Sequence, residues 1–233
     1  MLHNEIKEDQ PNGSQEILTR PVSRRNFFGM AGLGAAVIVT AASCKKDDII
    51  NNSGVNLGSG DAGILNYAYA LEQLEAAFYT QIIATPYANI SALEMAYLKD
   101  IRDHEVAHRE FFKAALASNA IQSLEVDFSS IDFTNRTSVL ATAKAFEDLG
   151  VSAYNGAGKL ISNPDYLTLA GKIVSVEARH AAWIRDIISM GSFADMSAVD
   201  GNGLDKARMP DDVLTIAGTY IKTKLNASNL PTN

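Results

Sequence analysis

The residues able to do chemistry fall in two short stretches. One is Asp103-His104-Glu105-Val106-Ala107-His108, and the other, 72 residues on, is Glu177-Ala178-Arg179-His180. Each contains Glu-x-x-His inside a run that reads as a long helix. At about 3.6 residues per turn, positions i and i+3 share a face, so each pair can direct a carboxylate and an imidazole to one point, as metal binding requires. Either pair alone would be equally at home on a solvated helix surface. Two further glutamates give the pairs their meaning. Glu72 and Tyr79 are seven residues apart, as are Glu147 and Tyr154, which puts each tyrosine on its glutamate's face two turns along. Glu72 to Glu147 is 75 residues, while Glu105 to Glu177 and His108 to His180 are both 72. The chain reads as a duplicated hairpin, each copy carrying Glu, Tyr and Glu-x-x-His in that order.

Stepping outward, apolar residues at spacings of three and four predict a helix from Ile64 to Ala84, stopped by Thr85-Pro86. Ser91, with Glu94 three residues on, is a capping box for a second helix reaching about Ser118. Residues 119 to 136 alternate loosely through Val126, Phe128, Ile131 and Phe133 without a helical period. A third helix runs from Thr137 to about Ile161, and a fourth follows the break at Ser162-Asn163-Pro164-Asp165 to about Met190. After a Gly- and Asp-containing loop over 191–209, Pro210 with Asp211 and Asp212 opens a fifth helix to about Leu225. Short connections make helices one and two, and three and four, antiparallel hairpins. The join between the hairpins is about 18 residues, which extended covers roughly 59 Å, against about 38 Å for a 25-residue helix. It can therefore run the length of the bundle. The expectation is an all-α four-helix bundle of two antiparallel hairpins with one long crossover and a C-terminal fifth helix, with the bundle over 63–190 and the loop, fifth helix and tail over 191–233.

Four carboxylates brought into such a core would cost several kcal/mol each without partners. Two divalent cations would neutralise four glutamates, with two imidazoles completing the shells, and mixed oxygen and nitrogen ligands with open positions suit iron or manganese. Glu75, one turn from Glu72, is an extra ligand or a substitute for it, although the seven-residue step to Tyr79 favours Glu72. His104 reads as a surface or core histidine ahead of a ligand. Asp148 points about 100° away from Glu147 and reads as solvated. Trp183, Met95, Met190 and Phe111-Phe112 read as packing.

With these residues and connections, the chain resembles the ferritin-like superfamily of di-iron and di-manganese carboxylate proteins. Within it, the chain is most similar to exported ferritin-like domain proteins related to plant desiccation-associated proteins. The resemblance implies that Glu72, Glu105, His108, Glu147, Glu177 and His180 are ligands to two ions, iron or manganese. It also implies that Glu105 and Glu177 bridge the ions and so carry the catalytic role, and that Tyr79 and Tyr154 hydrogen-bond ligand carboxylates and hold their orientation.

The N-terminus has a different character. Ser23-Arg24-Arg25-Asn26-Phe27-Phe28 precedes a Gly- and Ala-rich apolar segment ending at Ser43, an export signal that resembles the twin-arginine type. The segment is at the short end of what spans a bilayer. Ala41-Ala42-Ser43-Cys44 resembles a lipoprotein cleavage box, which would lipidate the chain's only cysteine. The expected division is signal over 1–43 and flexible tether over 44–62, rich in Gly, Asn and Ser. One cysteine excludes an internal disulfide and any cysteine-based metal site. A net charge of −7 without a basic run in the body excludes nucleic acid as its partner. No Gly-rich phosphate loop is present.

The reading is of an exported di-metal oxidoreductase, periplasmic or on the outer membrane or cell surface, lipid-anchored at Cys44. Its substrate would be dioxygen, hydrogen peroxide or ferrous iron, and the pattern does not choose between ferroxidase, peroxidase and manganese-catalase activity. A homodimer along a bundle face is compatible with the pattern but not required by it. The alternative, from a different class, is a non-catalytic metal-binding or stress-associated envelope protein on the same scaffold.

Overall fold

A computed structural model describes residues 54–232. The expected export signal and lipidation box, and most of the expected tether, lie outside the described residues. The elements run β1 (Val55–Asn56), α1 (Gly60–Ala84), α2 (Ala92–Leu116), α3 (Arg136–Gly158), α4 (Pro164–Ile188), α5 (Pro210–Ala217) and β2 (Leu225–Asn226), with a 3-10 turn at Ala117–Asn119 after α2. Among the described residues the fold is all-α apart from the two-residue pair β1–β2, which is parallel, and two isolated antiparallel bridges.

Local chemistry sets the helix starts. The Ser91 side chain accepts the Glu94 N–H at 3.1 Å, half of the expected capping box. The Glu94 carboxylate does not close the other half, because Arg136 and Tyr87 take it. Asn135 caps α3 by accepting from the N–H groups of Thr137 and Ser138, and Asn163 caps α4, where Pro164 sits at the first turn. α1 packs on α2 and α3 on α4, and the two hairpins meet along α1 and α3. α1 is the inner helix: its buried residues run all round, from Ile64 and Tyr67 to Phe78, Tyr79 and Ile82. α2 and α4 bury a stripe and leave the rest to solvent.

The crossover explains its own loose alternation. Phe128 and Phe133 pack their rings on Phe78, at centroid distances of 5.9 Å each, and Phe146 completes the cluster at 4.9 Å. Its polar backbone is satisfied by α1 and by the C-terminal segment. Ile121 N–H donates to Asn66 Oδ1 and Leu124 N–H to Gln73 Oε1, both at 2.9 Å. Asp127 N–H donates to the Tyr220 carbonyl and Lys222 N–H to the Glu125 carbonyl, both at 2.8 Å, with Val126 bridging antiparallel to Ile221.

Two boundaries and one core residue differ from the sequence reading. The fifth helix ends at Ala217, not Leu225, because the backbone groups of residues 220–222 are engaged by the crossover and cannot continue a helical ladder. The expected tether stops short of 62: Val55 and Asn56 pair with β2, Leu57 is fully buried and α1 begins at Gly60. Gly58 at φ +90° and Gly60 at φ +56° make the turn between them, a left-handed backbone suited to glycine. Met190, expected in the core, lies beyond the end of α4 and is 94% exposed. Met95 is half-buried, and Phe111 and Phe112 pack on the core as expected.

Candidate metal centre

Each of the four long helices delivers part of one buried cluster. Glu72 comes from α1, Glu105 and His108 from α2, Glu147 from α3, and Glu177 and His180 from α4. All four glutamates are fully buried, and the His108 side chain is 13% exposed. Their ligating atoms form two groups, Glu72, Glu105, His108 and Glu177, and Glu105, Glu147, Glu177 and His180, each with all atoms within 4.8 Å of one another. Glu105 and Glu177 belong to both.

The atoms divide symmetrically. His108 Nδ1 lies 2.9 Å from Glu177 Oε1, 3.4 Å from Glu72 Oε2 and 3.7 Å from Glu105 Oε2. His180 Nδ1 lies 2.9 Å from Glu105 Oε1, 3.4 Å from Glu147 Oε2 and 3.8 Å from Glu177 Oε2. Glu105 and Glu177 thus each turn one oxygen to each half. Glu72 and Glu147 turn in only one, because the other is occupied: the Tyr154 hydroxyl donates to Glu72 Oε1 and the Tyr79 hydroxyl to Glu147 Oε1. Each tyrosine therefore serves the glutamate of the opposite hairpin, not the one on its own helix. Burial, then the neighbouring carboxylate, pushes both phenols well above their ordinary range and keeps them protonated as donors.

This donor set fits a pair of cations. Eight atoms of the cluster are buried without a hydrogen-bond partner: Glu72 Oε2, both oxygens of Glu105 and of Glu177, Glu147 Oε2, and the Nδ1 atoms of His108 and His180. The nitrogens approach oxygens to 2.9 Å, yet lack the alignment of an N–H···O bond. The lone pairs converge on common points instead of pairing with each other. Buried polar atoms are ordinarily satisfied, so eight together mark a place built for something else.

The titration behaviour of the side chains agrees. Burial, and then the charge of Glu177, pushes Glu105 well above the usual carboxylate range. Burial raises Glu147 to about 7 against the pull of His180, while Glu177 is held at about 2 despite burial by the imidazoles of His108 and His180. Both imidazoles are raised above their ordinary value, the surrounding carboxylates overcoming the effect of burial. Without cations, the cluster holds its charge in check with protons.

The neighbours sort out as follows. Glu75 is buried beside the cluster but belongs to neither group; its carboxyl is pushed well up by burial and by Glu177, Glu105, Glu147 and Glu72. Gly150, unremarked in the sequence, makes room for it: a Cβ there would stand 3.1 Å from Glu75 Oε1 and 3.8 Å from Glu177 Oε2. Its signal was a residue without a side chain three places after Glu147, on the same helix face. His104 is in neither group, yet its Nδ1 is 2.9 Å from His180 Nε2 with the rings nearly parallel. Asp148 is not solvated as expected. Its two oxygens accept from Nε and Nη2 of the buried Arg185, each at 2.7 Å. Trp183 packs on Tyr97 at a centroid distance of 4.7 Å.

A family model described as a ferritin-like domain matches residues 60–190. These are the residues of α1 to α4, with the crossover between the hairpins. No curated protein is similar to the chain at a significant level.

Proposed function

The chain belongs to the ferritin-like family, and from that premise we propose that it is a di-metal oxidoreductase whose paired iron or manganese ions act on dioxygen, hydrogen peroxide or ferrous iron. One observation carries the reading: eight unpartnered, buried donor atoms are arranged as two overlapping groups with Glu105 and Glu177 common to both. Bound there, such ions would exchange electrons with a small oxidant.

The chain's own residues supply the rest. Glu105 and Glu177 hold the two halves together, and as carboxylates each can re-aim an oxygen as the local charge changes. Glu72 and Glu147 cannot re-aim freely, since Tyr154 and Tyr79 each hold one of their oxygens. His108 and His180 add neutral ligands, so four glutamate charges balance two divalent ions. The complete burial of Glu72, Glu105, Glu147 and Glu177 keeps bulk water from the cluster. The cluster is enclosed by the four helices, which suits substrates of two or three atoms.

The working location we propose is outside the cytoplasm, periplasmic or at the cell surface, with a lipid anchor at Cys44. Its support is the N-terminal sequence alone: the paired arginines Arg24-Arg25, the apolar segment and the small residues before the only cysteine. Among the described residues, no helix is long and apolar enough to cross a membrane.

The test is elemental analysis of the protein purified from its own envelope, followed by turnover assays with peroxide and with ferrous iron. About two equivalents of iron or manganese per chain, with turnover abolished by Glu105→Ala and His180→Ala, is the expected result. Two equivalents without turnover would leave a metal-binding envelope protein on this scaffold. A folded, helical chain that takes up neither metal would overturn the reading.

A further inference from the structure

We propose that His104 is a positioning residue that makes the two halves of the centre unequal, so that the half built on His180 fills first and holds its cation more tightly. The inference rests on the di-metal reading and extends it to the order of loading.

Aligning the two Glu-x-x-His motifs places His104 directly before Glu105 and Val176 directly before Glu177. The ligand distances of the two halves correspond, at 2.9, 3.4 and 3.7 or 3.8 Å around His108 and His180. The surroundings differ at His104 against Val176 and at the buried Glu75 against Gly150, and of these His104 is the one in contact with a ligand imidazole.

His180 turns its Nδ1 inward, to Glu105, Glu147 and Glu177. To ligate through Nδ1, the ring must offer a lone pair there and carry its hydrogen on Nε2. That hydrogen needs an acceptor, and His104 Nδ1 stands 2.9 Å from His180 Nε2. The rings lie 9° from parallel with centroids 5.1 Å apart, so with His104 Nδ1 as the acceptor the contact sets both the tautomer and the plane of His180. His104 itself is exposed at the helix surface, outside both ligand groups. It touches the centre only through His180. In the second motif the Val176 side chain has neither donor nor acceptor, so it cannot serve His108 as His104 serves His180.

Losing a partner that orients a metal-bound histidine typically costs about 10–100-fold in affinity. The two binding steps should differ by a factor of that order. The experiment is calorimetric titration of Mn²⁺ into the full chain stripped of metal by a chelator. The expected result is two steps separated by about tenfold or more. His104→Ala should weaken the tighter step alone and bring the two together. His104→Asn, which returns an acceptor oxygen near the place of Nδ1, should restore part of the separation. Glu147→Gln, which changes a ligand found only in the His180 half, should remove the tight step, and Glu72→Gln should leave it. Circular dichroism and the unfolding midpoint of each variant establish that it is folded. Two equal steps in the unaltered chain would overturn the proposal while leaving the di-metal reading standing. So would a His104→Ala variant that keeps the tight step or weakens both steps alike. Absence of any Mn²⁺ binding would overturn both.

Discussion

Spacing along a helix tells which face a residue shares, not which partner it meets, and the two tyrosines show the difference. Tyr79 and Tyr154 each share a face with a glutamate seven residues back, which made them legible as part of the site. Seven residues of α-helix rise about 10 Å, too far for a hydrogen bond within one helix. The hydroxyls therefore cross the bundle, Tyr79 to Glu147 and Tyr154 to Glu72. The six residues Glu72, Glu105, His108, Glu147, Glu177 and His180 were legible because two motifs and two duplicated glutamates repeat at nearly one interval. Gly150 and the His104–His180 contact were not, since a glycine one turn from Glu147 does not tell what fills its space, and spacing does not show an edge that faces another helix. The crossed tyrosines make a specific prediction. Tyr154→Phe leaves Glu72 Oε1 buried without its donor and free to rotate, so cation affinity should fall about 10–100-fold in the half that contains Glu72. The step belonging to His180 should hardly move. Calorimetric titration with Mn²⁺ reads both, and equal weakening of the two steps would argue that the hydroxyl serves the fold and not the ligand.

At the scale of elements, strong periods and caps located the four long helices, while the segments that lace them together were hidden. β1, the crossover and the C-terminal segment have no period of their own, because their pairings are fixed by contacts remote in sequence. Asn66 is an example: its amide donates to the carbonyls of Leu57 and Asn119, and its oxygen accepts from Ile121, so one buried side chain ties three segments. Leu57, fully buried in what reads as a tether, anchors the first of them. Leu57→Ala should cost about 2–5 kcal/mol of stability, as large-to-small core changes do, measured by denaturant unfolding. A cost near zero would mean that β1 is dispensable. Between α3 and α4 the corresponding lace is Arg185, 2% exposed, paired through both Nε and Nη2 with Asp148 and bonded to Asp195 and Ser197 in the following loop. Asp148 is about one-quarter exposed, which weakens the pair relative to a fully buried one. Arg185→Ala should still destabilise by about 3 kcal/mol, at the low end for breaking a buried pair. Because no ligand atom is touched, cation affinity should change far less than stability.

For the molecule as a whole, connection lengths alone specified two hairpins and one long crossover, since only a join of that length can return the chain to the start of a parallel neighbour. The price of the resulting core is that five carboxylates, Glu72, Glu75, Glu105, Glu147 and Glu177, share one interior. This couples folding to cations and to protons with a definite sign. Burial first of all raises Glu147 to about 7, so between the ordinary carboxylate value and pH 7 the folded, cation-free chain binds a proton there that the unfolded chain does not. Its stability on this account falls as pH rises through that window. His108 and His180 act in the same direction: their raised values stabilise fully below the ordinary imidazole value and lose that contribution as pH rises beyond it. Cations need the same atoms deprotonated, so their binding releases protons and tightens with pH. The cation-free chain should therefore melt at lower temperature at pH 8 than at pH 6, while the chain saturated with Mn²⁺ gains on it over the same interval. Calorimetric scans of both forms at the two pH values read the gap between their midpoints. A gap that widens toward pH 8 is the expected outcome; a constant or narrowing gap would show that these carboxylates and imidazoles are not the groups that exchange protons for metal.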